Sequence, residues 1–249
     1  KKMTKKEILT ILLISCTLVL AYKIAFRYRQ DIFGSSPVIL RLKGKKTVND
    51  VTSQIGETVC KRLLKDFDKK QAVYPPEKMK FLAFKQEKII EVWVPQKDGE
   101  WVKVRVYPIL CLSGGLGPKL AEGDFQVPEG MYRITGLNPN SAFHLSMKIG
   151  YPNEFDRKMG IKDKRLNLGK DIFVHGGEVS AGCLAVGDQA IEELFVIAAK
   201  AGIENTSITI SPVDFRKFRL NEKLKLRYDP IWTTELYKAI KSDLNRFRE

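Results

Sequence analysis

The chain has 249 residues and carries 43 Lys+Arg against 29 Asp+Glu, a formal charge of +14. That length fits one globular domain with attachments, or two small ones. Hydrophobic residues at 44% supply a sizeable core and exclude general disorder. Four cysteines without a CxxC pair exclude a disulfide scaffold, and His144 and His175 as the only histidines exclude a His-rich metal site. No nucleic-acid motif accompanies the charge, and no basic stretch is interleaved with stacking aromatics, so nucleic acid is not an expected partner. The charge suits an anionic membrane face or an acidic wall polymer instead.

Residues 1–29 hold seven of the cations (Lys1, Lys2, Lys5, Lys6, Lys23, Arg27 and Arg29) against Glu7. The apolar run from Ile8 to Phe26 would span about 30 Å as a helix, nearly a bilayer core. Lys23 can snorkel at its far end. The basic front is expected to stay cytoplasmic, sending the rest of the chain outward. No A-x-A-like site follows the run, so an uncleaved signal anchor is expected. A cleaved signal peptide is one rival. Lipoprotein processing at Leu13-Ile14-Ser15-Cys16 is another, weakened by the apolar residues after Cys16.

Residues 30–75 read as a linker and a helix. Val51, Ile55, Val59, Leu63 and Phe67 recur every four residues, which predicts an amphipathic helix over 49–70. Tyr74-Pro75-Pro76 ends that segment. Strands are predicted over 79–85, 88–94 and 101–112, with Asp98-Gly99 making a hairpin turn, then over 131–135, 144–149, 172–175 and 206–211. Asp188 reads as the N-cap of a helix that Gly202 closes, with Ile191, Leu194, Phe195 and Ala198 on its core face. The basic stretch 214–249, helical from Pro230, reads as a solvated extension. Together these predict a mainly β domain over 76–213 with flanking helices.

The segment that carries chemistry runs from Ile172 to Val186. A strand delivers His175, the glycine-rich Gly176-Gly177 turn follows, and Cys183 stands eight residues after the histidine behind Ser180-Ala181-Gly182. A free thiol with pKa about 8.5 is mostly protonated at neutral pH, so a nucleophilic cysteine needs a base or cation beside it. A loop of this length can fold back and bring imidazole and sulfur together. Gly182 allows close approach of backbone to substrate, and N–H groups near Gly182 and Cys183 can face a developing oxyanion. Read alone, the same pattern also fits a buried cysteine and a core histidine beside a glycine turn.

His-Gly followed by Ser-x-Gly-Cys resembles the active-site signature of the L,D-transpeptidase (YkuD-like) catalytic domain. Ser113-Gly114-Gly115-Leu116-Gly117-Pro118-Lys119, Gly123-Asp124-Phe125, Pro128-Glu129-Gly130 with Tyr132, and Gly150-Tyr151-Pro152-Asn153-Glu154-Phe155-Asp156-Arg157 extend the likeness to a proteobacterial periplasmic subgroup, over about 80–212. The resemblance implies a β-rich enzyme of cell-wall biogenesis and cell shape that acts on peptidoglycan stem peptides and needs no cofactor. It implies Cys183 as nucleophile and His175 as its base, with a carbonyl at Gly176 or Gly177 orienting the imidazole and Gly182, Gly176 and Gly177 lending backbone to the site. Attack at the diaminopimelate–D-Ala bond would give a thioester, resolved by an acceptor amine. Water as acceptor would make a hydrolase that trims stems or releases an outer-membrane lipoprotein, and a silent wall-binding module is the third alternative. Many members carry His at the place of Ala181 and Arg or Asn at that of Ala185, which bears on the acceptor.

Other residues are weighed beside these. Ser180, Arg157, Tyr151, Asn153 and His144 are candidate substrate contacts, Arg157 through a bidentate grip on a carboxylate or, equally, as half of a structural Asp/Arg pair. Ser113–Lys119 matches neither phosphate-loop pattern and reads as a substrate-side loop, with Lys119 facing an anionic group. A Cys60–Cys111 disulfide is compatible with the sequence.

Overall fold

The computed structural model describes residues 44–218 and 224–248. The predicted signal anchor at 8–26 lies outside them. Among the described residues no helix is long and apolar enough to cross a membrane. Residues from Val48 onward form one compact unit.

Helix α1 (Val48–Lys69) follows from its four-residue apolar spacing: Val51, Val59, Leu63 and Phe67 are buried along one stripe. Strands β1 (Met79–Phe84), β2 (Ile89–Pro95) and β3 (Trp101–Pro108) form an antiparallel meander. The β2–β3 hairpin closes on Gly99 N–H to the Gln96 carbonyl. Then come β4 (Cys111–Leu112), β5 (Gly130–Ser141), β6 (His144–Ile149), helix α2 (Glu154–Lys162), β7 (Ile172–His175), β8 (Leu184–Ala185), helix α3 (Asp188–Ala201), β9 (Thr206–Ser211) and helix α4 (Thr233–Leu244). The sheet order is β3-β2-β1-β9-β5-β6-β7-β8-β4, with β1/β9 and β7/β8 the parallel pairs.

β1 explains the layering. Every residue of it is buried, and its neighbours alternate between two cores. Met79, Phe81 and Ala83 join the cluster under α1 and α3. Leu82 and Phe84 join the other, with Trp93, Phe215, Trp232, Leu236, Tyr237, Ile240 and Phe247. A strand with period 2 and no polar face must be covered on both sides. The covering for the second side comes from the basic tail: α4 lays its apolar stripe on the sheet, and Asp243 takes Lys80 at 2.9 Å and the Thr209 hydroxyl at 2.6 Å. The tail from Pro230 is therefore part of the core rather than a solvated extension. On the opposite layer, fully buried Glu193 of α3 binds Arg62 of α1 at 2.8 Å and accepts from the Tyr107 hydroxyl of β3 at 2.6 Å.

Two local expectations change. Helix α2 was not anticipated, although Asn153 and Asp156 form a reciprocal capping box that starts it. Helix α3 begins after Gly187, not at an Asp188 cap, because the Asp188 carboxylate is turned to the Gly177 N–H at 2.8 Å.

Candidate active site

Strands β7 and β8 run parallel with Val174 opposite Leu184 and His175 opposite Ala185. One step back along this register, Phe173 stands beside Cys183. Side chains of paired residues share a face, so Val174 and Leu184 enter the core while His175 and Cys183 emerge together on the other side. They are diagonal neighbours there.

His175 is held rigidly. It is buried, stacks on Phe143 with ring centroids 4.6 Å apart, and its Nδ1 lies 2.7 Å from the Gly176 carbonyl. A carbonyl only accepts, so Nδ1 carries the proton and the Nε2 lone pair is the basic one. Burial lowers the imidazole pKa below its ordinary 6.5, against the raising effect of that carbonyl. Gly176 is required here. A β-carbon at this position would fall 2.5 Å from Asp188 Oδ1 and 2.7 Å from the Phe143 carbonyl. Of the two carbonyls the sequence left open, Gly176 is the one bonded to the imidazole.

Burial pushes the Cys183 thiol up to about 11; the Phe173 backbone and Lys119 pull the other way, and Asp171 adds to the rise. The sulfur's hydrogen-bond partner is the Asp171 carbonyl at 3.9 Å. At rest the pair is therefore a neutral thiol and a neutral imidazole, not a preformed ion pair. A charged sulfur is costly in this setting until substrate and base share the proton.

The 180–183 loop is tied by two hydroxyls. The Cys183 N–H donates to Ser180 Oγ at 3.0 Å, and Ser180 donates to the Cys183 carbonyl at 2.6 Å. The Gly182 N–H donates to Ser113 Oγ at 2.5 Å, with Gly182 at φ +105, where glycine is favoured. Gly176 N–H bonds the Leu145 carbonyl and Gly177 N–H bonds Asp188. All these backbone donors have acceptors within the protein at rest, so an oxyanion bound by Gly182 has to replace Ser113 Oγ.

The remaining sequence candidates fall into other networks. Tyr151 is buried with its hydroxyl on the Leu168 carbonyl at 2.9 Å, and Asn153 caps α2. Arg157 is exposed on α2 near Asp156, whose carboxyl burial raises to about 6. His144 pairs with Glu192 at 3.0 Å. Lys119 does not present a free ammonium to an anion: it is buried against Asp124 at 2.5 Å and the Ala121 carbonyl at 2.8 Å. Cys60 and Cys111 are both free thiols, so the structure holds no bridge between them.

Phe143 and Asp171 are not among the sequence candidates, and Ser113 enters them only within the 113–119 substrate-side loop. The placement of Ser113 is non-local: β4 pairs Cys111 with Ala185 and Leu112 with Leu184, which puts Ser113 opposite Cys183. A groove of about 800 Å³ lies between α1, β3 and the start of α3. It mixes Lys103 and Arg105 with Asp66, Glu178 and Asp188 and contains neither Cys183 nor His175.

Residues 82–210 match the family described as YkuD: L,D-transpeptidase catalytic domain. The chain belongs to this family. Over 143 residues it is 35% identical to YafK of Escherichia coli (strain K12), whose name places it provisionally among the L,D-transpeptidases; the match covers 56% of this chain and 55% of that one. The chain thus spans about half the length of the curated relatives it matches. Among solved structures it is similar to the helical cell shape determining protein Pgp2 from Campylobacter jejuni, at 22% identity and a TM-score of 0.44, covering 68% of this chain and 54% of that one. It is also similar to L,D-transpeptidase 1 of Mycobacterium tuberculosis, at 13% identity and a TM-score of 0.31, covering 54% and 62%. The match to the L,D-transpeptidase family takes in β7, the 180–183 loop and β8, while α1 and α4 lie outside it.

Proposed function

We propose that this member of the family is a peptidoglycan L,D-transpeptidase. The observation that carries the reading is the placement of His175, and of Cys183 just before β8, on one face of the parallel β7/β8 pair, with Nδ1–H fixed on the Gly176 carbonyl and Nε2 left basic. His175 Nε2 takes the thiol proton as Cys183 Sγ attacks the carbonyl between the L-centre of diaminopimelate and D-Ala. The C–S bond forms, the C–N bond breaks, and the proton passes from His175 to the departing D-Ala amine. An acceptor amine then attacks the thioester, gives its proton to His175 and frees the sulfur.

Muropeptide analysis tests this. Diaminopimelate-type sacculi bearing lipoprotein are incubated with the protein or its Cys183→Ala variant, digested with muramidase and read by mass spectrometry. New 3–3 dimers or D-amino-acid exchange, absent from the variant, are expected. Free tripeptides with loss of lipoprotein-linked species would identify a hydrolase, and identical digests would leave a binding module.

The proposal places the catalytic domain in the periplasm, held by the 8–26 segment in the inner membrane. The basic start and apolar run support this location. The full chain should then resist extraction from membranes by alkaline carbonate. Release into the soluble fraction would remove the anchor.

A further inference from the structure

Phe125 sits at φ +53, a left-handed conformation that a bulky residue occupies only under constraint. The constraint is visible on both sides of it. The Asp124 carboxylate accepts from the N–H groups of Leu120, Ala121 and Gln126 at 2.9 to 3.0 Å, and the Phe125 carbonyl accepts from the Ser113 hydroxyl at 2.8 Å. The ring gains no burial from this arrangement, because Phe125 is 60% exposed.

Its place in the fold is informative. The Ser113 hydroxyl that holds the Phe125 carbonyl also accepts from the Gly182 N–H at 2.5 Å, and the Gln126 carbonyl lies 3.7 Å from where a Gly182 side chain would begin. An aromatic ring is therefore kept in water on a pinned and strained backbone, whose carbonyl shares the Ser113 hydroxyl with the residue that precedes Cys183. Strain of this kind persists where the surroundings overdetermine it and gathers at ligand contacts.

We infer that Phe125 is a substrate-contacting residue, its ring an apolar platform beside Cys183 for the aliphatic part of the acyl-donor stem peptide. Atoms within a residue or so of the scissile carbonyl are peptide, which commits the platform to the stem peptide and not to the glycan. The inference rests on the proposed function and adds to it where the donor lies.

Calorimetric binding of a purified disaccharide-tetrapeptide to Cys183→Ala protein, with and without a second substitution, tests it. Phe125→Gly should weaken binding about 5- to 30-fold, and Phe125→Trp should stay within about threefold of the parent. Because glycine accepts φ +53 without strain, Phe125→Gly should hold the melting temperature or raise it by up to about 4 °C. A ring that only packs would do the reverse, lowering the melting temperature with binding unchanged, and that result would overturn the inference alone. No binding to the Cys183→Ala parent would overturn the inference and the proposed substrate together.

Discussion

His175→Ala should slow acylation of Cys183 at pH 7 by about 10²- to 10⁴-fold, the range for loss of a general base. The size follows from the resting state of the pair. With the thiol held at about 11, only about one sulfur in 10⁴ is thiolate at pH 7, so a base has to take the proton during attack. Burial keeps His175 in its neutral, basic form down to a pH below 6.5. Wild-type acylation should therefore rise with pH through a value under 6.5 and then level off. Acylation of the variant should climb about tenfold per pH unit toward 11, so the gap between the two closes in alkali. Stopped acylation reactions read by intact-protein mass between pH 5 and pH 10.5 give both curves. Parallel curves with a constant ratio would remove His175 as the base.

Lys85→Met should destabilise the folded domain by about 3–5 kcal/mol, the cost of orphaning a buried charge. Lys85 and Glu129 are fully buried and 2.9 Å apart. The ammonium also donates to the Gly117 and Val127 carbonyls at 3.0 Å each, so all three of its N–H groups are used. Burial lowers the Lys85 pKa and the Glu129 carboxylate opposes that shift. Glu129 in turn accepts from the Gly117 N–H and the Tyr237 hydroxyl, joining the 113–119 loop to α4. For a unit of this size the loss should lower the melting temperature by about 6–20 °C. Lys85→Met with Glu129→Gln should recover part of it, since no charge is then left alone. A single variant within about 1 kcal/mol of wild type in urea unfolding would show that the pair contributes little.

How much of this was legible in sequence depended on whether a residue's role is local. The apolar spacing from Val51 to Phe67, the apolar and aromatic run of β1 and the alternation in β6 are local patterns, and the elements formed where they occur. The turn at Asp98-Gly99 did too. β5 runs past the predicted 131–135 to Ser141, with register shifts after Ile134 and Asn138, because β6 supplies the partner. β8 has only two residues, too few for any period, and exists because β7 and β4 flank it. The tail's charge concealed an apolar stripe at Leu236, Tyr237, Ile240 and Leu244 that needed the far side of β1 to have meaning. At the site, Cys183 and His175 stood out because a strand, a glycine turn and a cysteine lie close in sequence. Ser113 lies 69 residues before Gly182 and meets it only through the β4–β8 pairing.

The measurement that bears most directly on the account is the mass of the protein after brief incubation with a diaminopimelate-type disaccharide-tetrapeptide, quenched in acid and mapped by proteolysis. The account predicts an added mass equal to the donor less D-Ala, confined to the peptide that contains Cys183 and absent from Cys183→Ala. An adduct on Cys60 or Cys111 instead, or D-Ala released as fast by Cys183→Ala as by wild type, would contradict it.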